Sequence, residues 1–319
     1  MKYKEIKYVN KKVSQIFYGT ASAPFLAGEN CNELLDSIYA LGINTFDTAR
    51  NYGMSEKAIG MWLRSGVDRD AVVILSKCGH HDVDTLRKRV NEKEIREDFA
   101  VSSDLLGTDY IDIYILHRDD PGVPAGEICE IFNALHAEGK IGAFGGSNWT
   151  HQRIEAVNEY AYSHNLIPFT VSSPNFGLAD QVADPWGGGC VTISGPGGAD
   201  ARAWYEKEGM PVVAYSSLGR GLFSGKLKSA DAAQADRVLD EFAMKGYGCP
   251  ENFERLRRCE ELAAKKGVSV AQIAMAFIYA QPLNTFAVVS TQSAKRMKQN
   301  IAALDIELDK DEADWLDLR

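Results

Sequence analysis

Short apolar strands alternate with helices along most of the chain, and this alternation constrains the fold more than any other feature of the sequence. Seven apolar runs predict strands near residues 45, 73, 113, 142, 170, 213 and 287, and an eighth run, Val13 to Tyr18, precedes Gly19. Parallel strands need crossover helices between them, and closing eight strands into a barrel removes both exposed edges. The sequence therefore predicts an α/β fold, a (β/α)8 or TIM barrel that forms a single domain over residues 1–319.

Helical periodicity fills the intervals between these strands. The predicted helices span residues 32–41, 56–64, 92–106, 127–138, 150–163, 201–208, about 236–265, 270–280 and 294–304. Alternating residues 3–18, broken at Asn10 and Lys11, predict an N-terminal β-hairpin. A doubly wound sheet is the alternative fold, but no predicted strand is followed by a GxGxxG turn and a helix.

A connection rich in Gly and Pro, residues 177–200, interrupts this rhythm after the sixth barrel strand. Loops of this length inside a barrel are usually functional or mobile. Because the loop follows the carboxyl end of a strand, it is expected on the active-site face of the barrel. Its three consecutive glycines, 187–189, indicate a flexible loop and not a nucleotide-binding fingerprint.

Composition excludes several classes of partner. The net charge of −9 argues against nucleic acid or an anionic membrane as the main partner. Six cysteines are scattered without a CxxC motif, which favours free thiols in a reducing compartment. The N-terminus is polar, and no window approaches the roughly 20 apolar residues of a membrane span. We therefore expect a cytoplasmic protein with a small-molecule substrate; the oligomeric state is left open.

Three polar residues end apolar strands: Asp47, Lys77 and His117. Tyr52 lies in the loop that follows Asp47, so all four side chains are expected on the same face of a barrel. Reducing a carbonyl by hydride transfer requires a proton donor, and a tyrosine, neutral at pH 7, can serve. Lys77 is expected to lower the pKa of that phenol, Asp47 to hold Lys77, and His117 to hydrogen-bond the carbonyl oxygen. Taken singly, Asp47 could be a helix cap and Tyr52 a turn residue.

Several longer motifs resemble the aldo-keto reductase family in collinear order, from about residue 5 to residue 305. They are NTFDTARNYG at 44–53 with SE at 55–56, ILSK at 74–77, LGTDYIDIYILH at 106–117, GKIGAFGGSNW at 139–149, AYSSLGRGLFSGK at 214–226 and STQSAKRMKQN at 290–300. The resemblance implies a (β/α)8 barrel and a nicotinamide cofactor bound without a Rossmann fold. It also implies that Tyr52 is the general acid, acting with Asp47, Lys77 and His117.

The resemblance further assigns residues to each part of the cofactor. The nicotinamide end takes Gly19, Thr20, Asp47, Ser147, Asn148 and Ser173, with Tyr215 stacked on the ring; the pyrophosphate takes Ser216, Leu218, Gly219, Gly221 and Lys226; the adenosine end takes Ser290, Thr291, Gln292, Ser293, Arg296, Gln299 and Asn300. Ser293 is expected to cap a helix whose N-terminus, beside Arg296, receives a 2′-phosphate. NADPH is therefore the expected cofactor, with NADH as the other possibility.

Some positions depart from the family pattern. Ser173 stands where a glutamine usually contacts the carboxamide, and Ser290 stands where many members carry a basic residue. Ala21, Gly79 and Arg118 replace the tryptophans of the aldehyde pocket, which predicts a roomier and more polar pocket. Its expected substrate contacts are Tyr52, His117, Arg118 and Trp186, with His80, His81 and Asp119 as further candidates on the rim. Arg118 could instead form an internal ion pair with Asp119.

The sequence thus predicts an NADPH-dependent oxidoreductase that reduces an aldehyde or ketone, such as a sugar or another polar carbonyl, to an alcohol. A nicotinamide-binding, redox-sensing regulatory subunit with weak reductase activity is the alternative. A metal-dependent barrel hydrolase would need a His-x-His motif, which the sequence lacks. Adjacent histidines such as His80 and His81 rarely face one ion, so no metal is expected.

Overall fold

A computed structural model describes all 319 residues of the chain. It contains ten strands: β1 (Tyr3–Lys4), β2 (Val13–Ser14), β3 (Ile16–Gly19), β4 (Thr45–Asp47), β5 (Val73–Cys78), β6 (Ile111–Leu116), β7 (Ile141–Ser147), β8 (Val171–Ser173), β9 (Val212–Ala214) and β10 (Thr285–Val289). Strands β3 to β10 form a closed barrel in sequence order. The strands within it run parallel to one another, as β4 and β5 or β5 and β6 do. The predicted (β/α)8 barrel is confirmed.

The predicted N-terminal hairpin is also confirmed. Strands β1 and β2 pair antiparallel, with Tyr3 opposite Ser14 and Lys4 opposite Val13. The apolar run from Val13 to Tyr18 contributes to both the hairpin and the barrel. Strand β2 of the hairpin ends at Ser14, and β3, the first barrel strand, begins at Ile16.

Twelve α-helices accompany the strands. They are α1 (Ala23–Leu26), α2 (Asn32–Tyr39), α3 (Ser55–Leu63), α4 (Glu92–Leu106), α5 (Ala125–Ala137), α6 (His151–Ser163), α7 (Ala199–Glu208), α8 (Glu241–Tyr247), α9 (Pro250–Lys266), α10 (Val270–Ala280), α11 (Ala294–Ala302) and α12 (Lys310–Leu316). None of them combines the length and the apolar character that a membrane crossing requires.

The long helix predicted at about 236–265 is wrong, because the chain forms two helices there. Helix α8 begins after Asp240, whose carboxylate accepts the backbone N–H of Ala243, and it ends at Gly248. Helix α9 then starts with Pro250 at its first position, where the missing N–H of proline costs nothing. The single turn of α1 and the C-terminal helix α12 are not among the predicted helices.

The chain divides into two compact units. The first unit comprises Met1–Ser173 and Ser290–Ala294, and the second comprises Pro174–Val289 and Lys295–Arg319. The first unit contains β1 to β8 and buries large aromatic side chains, among them Trp62 and Trp149. The second unit has its own apolar cluster, in which residues of α8, α9 and α10 pack with Leu222 and Phe223.

A buried carboxylate near the start of β6 joins three segments of the first unit. Asp112 is 1% exposed and forms ion pairs with Lys11 at 2.7 Å and with Arg69 at 2.7 Å. Its second oxygen also accepts the backbone N–H of Ile74, in the neighbouring strand β5, at 3.0 Å. A buried carboxylate is costly unless it is paired and hydrogen-bonded, and Asp112 meets both conditions.

Replacing Asp112 with Ala should destabilise the protein by about 3 kcal/mol, because it removes the counter-charge of two cations and the acceptor of a buried N–H. Urea unfolding of the purified protein measures this loss. The matched control is Asp109→Ala, which removes an exposed carboxylate and should change the free energy of unfolding by no more than about 0.5 kcal/mol. Equal stability of the two variants would contradict the structural role of Asp112.

Candidate active site

Three neighbouring strands deliver the predicted catalytic side chains. Asp47 is the last residue of β4, Lys77 is the penultimate residue of β5, and His117 directly follows β6. The strands are in register, with Asp47 opposite Leu75 and Lys77 opposite Ile115. The backbone N–H of His117 donates to the carbonyl of Cys78 at 2.7 Å, which extends the β5–β6 pairing to this residue. Asp47, Lys77 and His117 therefore lie together at the carboxyl ends of β4, β5 and β6.

The closest contact among these residues is an ion pair between Lys77 and Asp47. The Lys77 ammonium lies 2.6 Å from a carboxylate oxygen of Asp47 and also donates to the carbonyl of Thr48 at 2.8 Å. Both side chains are almost completely buried. Burial by itself would lower the pKa of Lys77, but the negative charge of Asp47 and the Tyr52 phenol raise it above its ordinary value. Lys77 therefore stays charged at neutral pH.

Tyr52 lies against this pair. The Lys77 nitrogen is 4.9 Å from the centroid of the Tyr52 ring. Burial raises the pKa of Tyr52 above its ordinary value, and Lys77, acting through its charge and a hydrogen bond, lowers it only in part. Lys77 thus acts on this pKa in the expected direction, while burial has the larger effect. Tyr52 is a neutral phenol at pH 7 and can donate a proton.

His117 completes the group. Its ring meets Tyr52 edge to face at a centroid distance of 5.5 Å and meets His80 in the same way at 4.8 Å. Burial lowers the pKa of His117 well below its ordinary value, and the charge of Lys77 lowers it further. A neutral imidazole carries one N–H, so His117 can donate one hydrogen bond without transferring its proton. Its buried Nδ1 makes no hydrogen bond within the protein.

The side chains predicted to hold a carboxamide follow on β7 and β8. The hydroxyl of Ser147 donates to the carbonyl of Ser173 at 2.8 Å. The amide of Asn148 donates to the Ser147 hydroxyl at 3.2 Å and to the carbonyl of His117 at 3.2 Å. Asn148 has a φ of 60°, a left-handed conformation that asparagine tolerates better than most residues. These bonds fix both polar side chains beside the end of β6.

The other candidates in the first unit occupy more varied settings. Gly19 is the last residue of β3, and the buried hydroxyl of Thr20 donates to the carbonyl of Asp47 at 2.8 Å. The carbonyl of Thr291 accepts the Tyr18 hydroxyl at 3.0 Å. The remaining candidates lie nearer the surface: Ser290 and Gln292 are exposed and Ser293 is half-buried, while the Gln292 amide donates to Ser22 at 2.9 Å.

In the second unit, Tyr215 follows β9 and lies against the long loop. Its ring is 6.0 Å from that of Trp186, edge to face. Asn175, which the sequence analysis missed, anchors this region: its amide donates to the carbonyl of Tyr215 at 3.3 Å and to the hydroxyl of Tyr247 at 3.0 Å. The same side chain accepts the hydroxyl of Thr192, in the middle of the loop, at 2.8 Å.

The segment after Tyr215 turns through a series of left-handed residues. Ser216, Gly219 and Gly221 have positive φ angles of 54°, 56° and 103°. Within this turn the N–H of Gly219 donates to the carbonyl of Ser216 at 2.8 Å, and that of Gly221 donates to Leu218 at 3.1 Å. Lys226, which follows the turn, is exposed.

Helix α11 presents the remaining candidates on one face. Arg296, Gln299 and Asn300 are spaced three and four residues apart, which brings their side chains to the same side of a helix. Arg296 and Gln299 are exposed, and Asn300 is buried. This face of α11 therefore exposes one guanidinium and one amide and buries a second amide.

The predicted rim residues differ in their partners. Asp119 forms its ion pair with Arg153 at 3.2 Å, so its carboxylate is committed to a residue other than Arg118. Trp186 is held by its backbone N–H, which donates to the Asp184 carboxylate at 2.7 Å.

An arginine that the sequence analysis missed covers the Trp186 ring. The guanidinium of Arg220 lies 5.8 Å from the ring centroid of Trp186 and 5.2 Å from that of Phe242. The Asp240 carboxylate holds it at 2.9 Å. No sequence pattern pointed to this contact.

Comparisons with known proteins identify relatives of this chain. A family model described as "Aldo/keto reductase family" matches residues 15–317. Aldo-keto reductase str7 of Strobilurus tenacellus is 26% identical over 289 residues, which cover 88% of this chain and 78% of that protein. The uncharacterized oxidoreductase YrpG of Bacillus subtilis is 25% identical over 324 residues, which cover 98% and 93% of the two chains. A crystal structure of a thermostable aldo-keto reductase in complex with the inhibitor epalrestat shares the fold, with a TM-score of 0.74, 21% identity, and coverage of 100% of this chain and 99% of that one.

Replacing Lys77 with Met should raise the pKa of Tyr52, because it removes an ammonium that lowers this pKa while the burial that raises it remains. Titration of carbon-13-labelled tyrosine by NMR, with Tyr52→Phe to assign the signal, measures the change. The matched control is Lys140→Met, which removes a lysine lying 5.8 Å above the ring of Phe99 and should leave Tyr52 unaffected. An unchanged or lower pKa of Tyr52 in Lys77→Met would disprove the coupling.

Proposed function

Because the chain belongs to the aldo/keto reductase family and is therefore an NAD(P)H-dependent oxidoreductase, we propose that it reduces a polar aldehyde or ketone to an alcohol with NADPH. The observation that carries the proposal is the group formed by Tyr52, the buried pair of Lys77 and Asp47, and the neutral His117. This group has a proton donor, a fixed positive charge beside it and a neutral hydrogen-bond donor. Protonation of a carbonyl oxygen during reduction requires the first of these elements and is accelerated by the other two.

Each residue of the group has a distinct role in the proposed reaction. The nicotinamide cofactor, when bound, supplies the hydride. Tyr52 donates its hydroxyl proton to the carbonyl oxygen, and the N–H of His117 directs that oxygen by hydrogen bonding. Lys77 stabilises the phenolate that Tyr52 becomes, and Asp47 keeps Lys77 charged and in place. Each unit by which Lys77 lowers the pKa of Tyr52 corresponds to about 1.4 kcal/mol.

The donor groups present fit a nicotinamide cofactor. Asn148 and Ser147, beside Ser173, form a fixed polar group of the kind that binds a carboxamide, and the partly exposed ring of Tyr215 offers a flat face for stacking. The exposed Arg296 on α11 suits a phosphate, since a guanidinium binds phosphate oxygens in a planar fork. The remaining assignments follow the family resemblance: Gly19, Thr20 and Asp47 at the nicotinamide end; Ser216, Leu218, Gly219, Gly221 and Lys226 at the pyrophosphate; Ser290, Thr291, Gln292, Ser293, Gln299 and Asn300 at the adenosine.

We assign substrate contacts to Tyr52, His117, Arg118 and Trp186. Tyr52 and His117 are assigned to the reacting oxygen, and Arg118 and Trp186 keep the rim roles that the sequence predicts for them. A guanidinium among the rim residues favours substrates with several polar oxygens over apolar aldehydes. A sugar or another oxygen-rich carbonyl compound meets this requirement.

Replacing Tyr52 with Phe should lower kcat/KM for carbonyl reduction by about 100-fold to 10,000-fold, because it removes only the proton donor. Steady-state oxidation of NADPH with a panel of aldehydes and ketones measures the loss, and cofactor fluorescence checks that binding is retained. Tyr162→Phe, at a tyrosine that is 66% exposed, is the matched control and should behave as the unmodified protein does. Unchanged turnover in Tyr52→Phe would remove Tyr52 from the mechanism.

Replacing Arg296 with Ala should weaken the binding of NADPH by about 10-fold to 100-fold, because a charged hydrogen bond to the 2′-phosphate is lost. NADH lacks this phosphate, so its affinity should change little. Calorimetric titration of each cofactor gives both dissociation constants, and Lys295→Ala, at a neighbouring exposed cation, is the control. Equal losses for the two cofactors would refute a phosphate-binding role for Arg296.

A further inference from the structure

Two histidine rings meet at the carboxyl ends of β5 and β6. His80 lies two residues after β5 and His117 directly follows β6, and their ring centroids are 4.8 Å apart with the planes at 79°. The His117 ring also contacts Tyr52, at a centroid distance of 5.5 Å. His80 therefore lies one ring away from the proposed proton donor, although it has no role in the reduction as described so far.

The backbone that carries His80 is fixed by the residue before it. Gly79 has a φ of 65°, and a Cβ at this position would lie 2.8 Å from Cδ2 of Leu116, so both its conformation and its surroundings require glycine. Its N–H donates to the buried carboxylate of Asp98 at 2.9 Å, and Asp98 forms an ion pair with Arg89 at 2.9 Å. His80 thus has the preorganised position that a precise contact with a small molecule requires.

The His80 ring presents a hydrogen-bond acceptor. Its Nδ1 lies 2.8 Å from the carbonyl oxygen of His81, and a carbonyl can only accept, so Nδ1 carries a proton. Burial lowers the pKa of His80 to about 4, so the ring is neutral at pH 7 and Nε2 keeps its lone pair. Nε2 makes no hydrogen bond within the protein and is not sealed from solvent, since His80 is only half-buried. This acceptor is therefore available to a ligand.

His117 has the opposite polarity in the proposed reaction. Its Nδ1 is buried without a hydrogen bond, so Nε2 is the nitrogen that can meet a ligand, and its N–H donates to the carbonyl oxygen. The two touching rings therefore match a molecule that carries an acceptor and a donor on adjacent carbon atoms.

The donor that fits His80 is a neutral one. A carboxylate has no proton to donate to Nε2 at neutral pH. Burial lowers the pKa of His117 most, and the positive charges of Lys77 and Arg118 lower it further, so an ammonium group is repelled at this place. A hydroxyl group meets both conditions, since it donates a hydrogen bond and carries no charge.

We propose that His80 determines substrate specificity, and that the natural substrate is an α-hydroxy aldehyde or α-hydroxy ketone whose hydroxyl group donates to Nε2 of His80. This inference rests on the proposed reductase function and narrows its substrate class. The carbonyl carbon takes a hydride from the nicotinamide cofactor, and its oxygen takes the proton of Tyr52. The product is a 1,2-diol in which the second hydroxyl group is unchanged.

Hydroxyacetone and methoxyacetone form a matched pair of substrates that tests the proposal. Both carry an oxygen atom next to the carbonyl group, but only the first has an O–H to donate. We expect kcat/KM with NADPH to be about threefold to tenfold higher for hydroxyacetone, which is the effect of one neutral hydrogen bond. In His80→Phe, which keeps an aromatic ring and removes the acceptor, the ratio should fall by this factor. In His80→Gln the amide oxygen can accept instead, so most of the preference should remain.

The controls separate a substrate contact from a structural effect. His164→Phe removes the exposed histidine that follows α6 and should keep the ratio of the unmodified protein. The same ratio in His80→Phe and in the unmodified protein would overturn the proposal, even if both substrates lost activity. If no carbonyl of a broad panel is reduced with NADPH or NADH, the reductase function itself fails, and the inference fails with it.

A measurement without turnover covers the case in which His80→Phe does not fold. The chain has six histidines, so NMR of the protein labelled with nitrogen-15 histidine can resolve the His80 ring. We expect a protonated Nδ1 and an unprotonated Nε2 at pH 7. With NADP⁺ bound, hydroxyacetone should shift the Nε2 signal as a hydrogen bond does, and methoxyacetone should not. A proton on Nε2, or the same response to both ketones, overturns the proposal.

Discussion

The buried ion pair between Asp47 and Lys77 is the interaction on which the candidate active site depends. Two charges removed from water are stable only when they meet each other and further polar groups, and here the carbonyl of Thr48 supplies the extra acceptor for Lys77. The pair joins the ends of two neighbouring strands. The pairing of β4 with β5 brings the two charges together, and their attraction in turn holds the two strand ends side by side. Tyr52 and His117 then lie where a fixed positive charge influences both of them.

The sequence predicted the barrel well because its signals are local. The alternation of strands and helices indicated the eight barrel strands, and the bounds of α4 agree with the prediction because Asn91 caps its start and Gly107, in a left-handed conformation, ends it. Helix α12 also has a local signal, a capping box of Asp309 and Glu312, which the analysis overlooked. The split between α8 and α9 could have been found from Pro250, which begins a helix more readily than it continues one.

The sequence could select the residues of the candidate site but not their energetics. Asp47, Lys77 and His117 could be chosen because each follows an apolar strand, and the family resemblance carried by the surrounding motifs is confirmed by the match over residues 15–317. The net pKa shift of Tyr52 could not be predicted, because it depends on how many atoms from distant segments surround the phenol. The partner of Asp119 is 34 residues away, and sequence spacing gives no reason to prefer Arg153 over the adjacent Arg118.

The contact between Arg220 and Asp240 has a consequence for anyone who redesigns this protein. Asp240 supports two structures at once, since it caps α8 through Ala243 and holds the arginine that covers Trp186. The adjoining glycines, 187–189, have open space around them but φ angles of 81° to 118°, which other residues rarely adopt. Libraries that aim to change selectivity through this loop should therefore vary its length and leave the glycines and Asp240 unchanged, because the residue that caps α8 also holds the arginine beside Trp186.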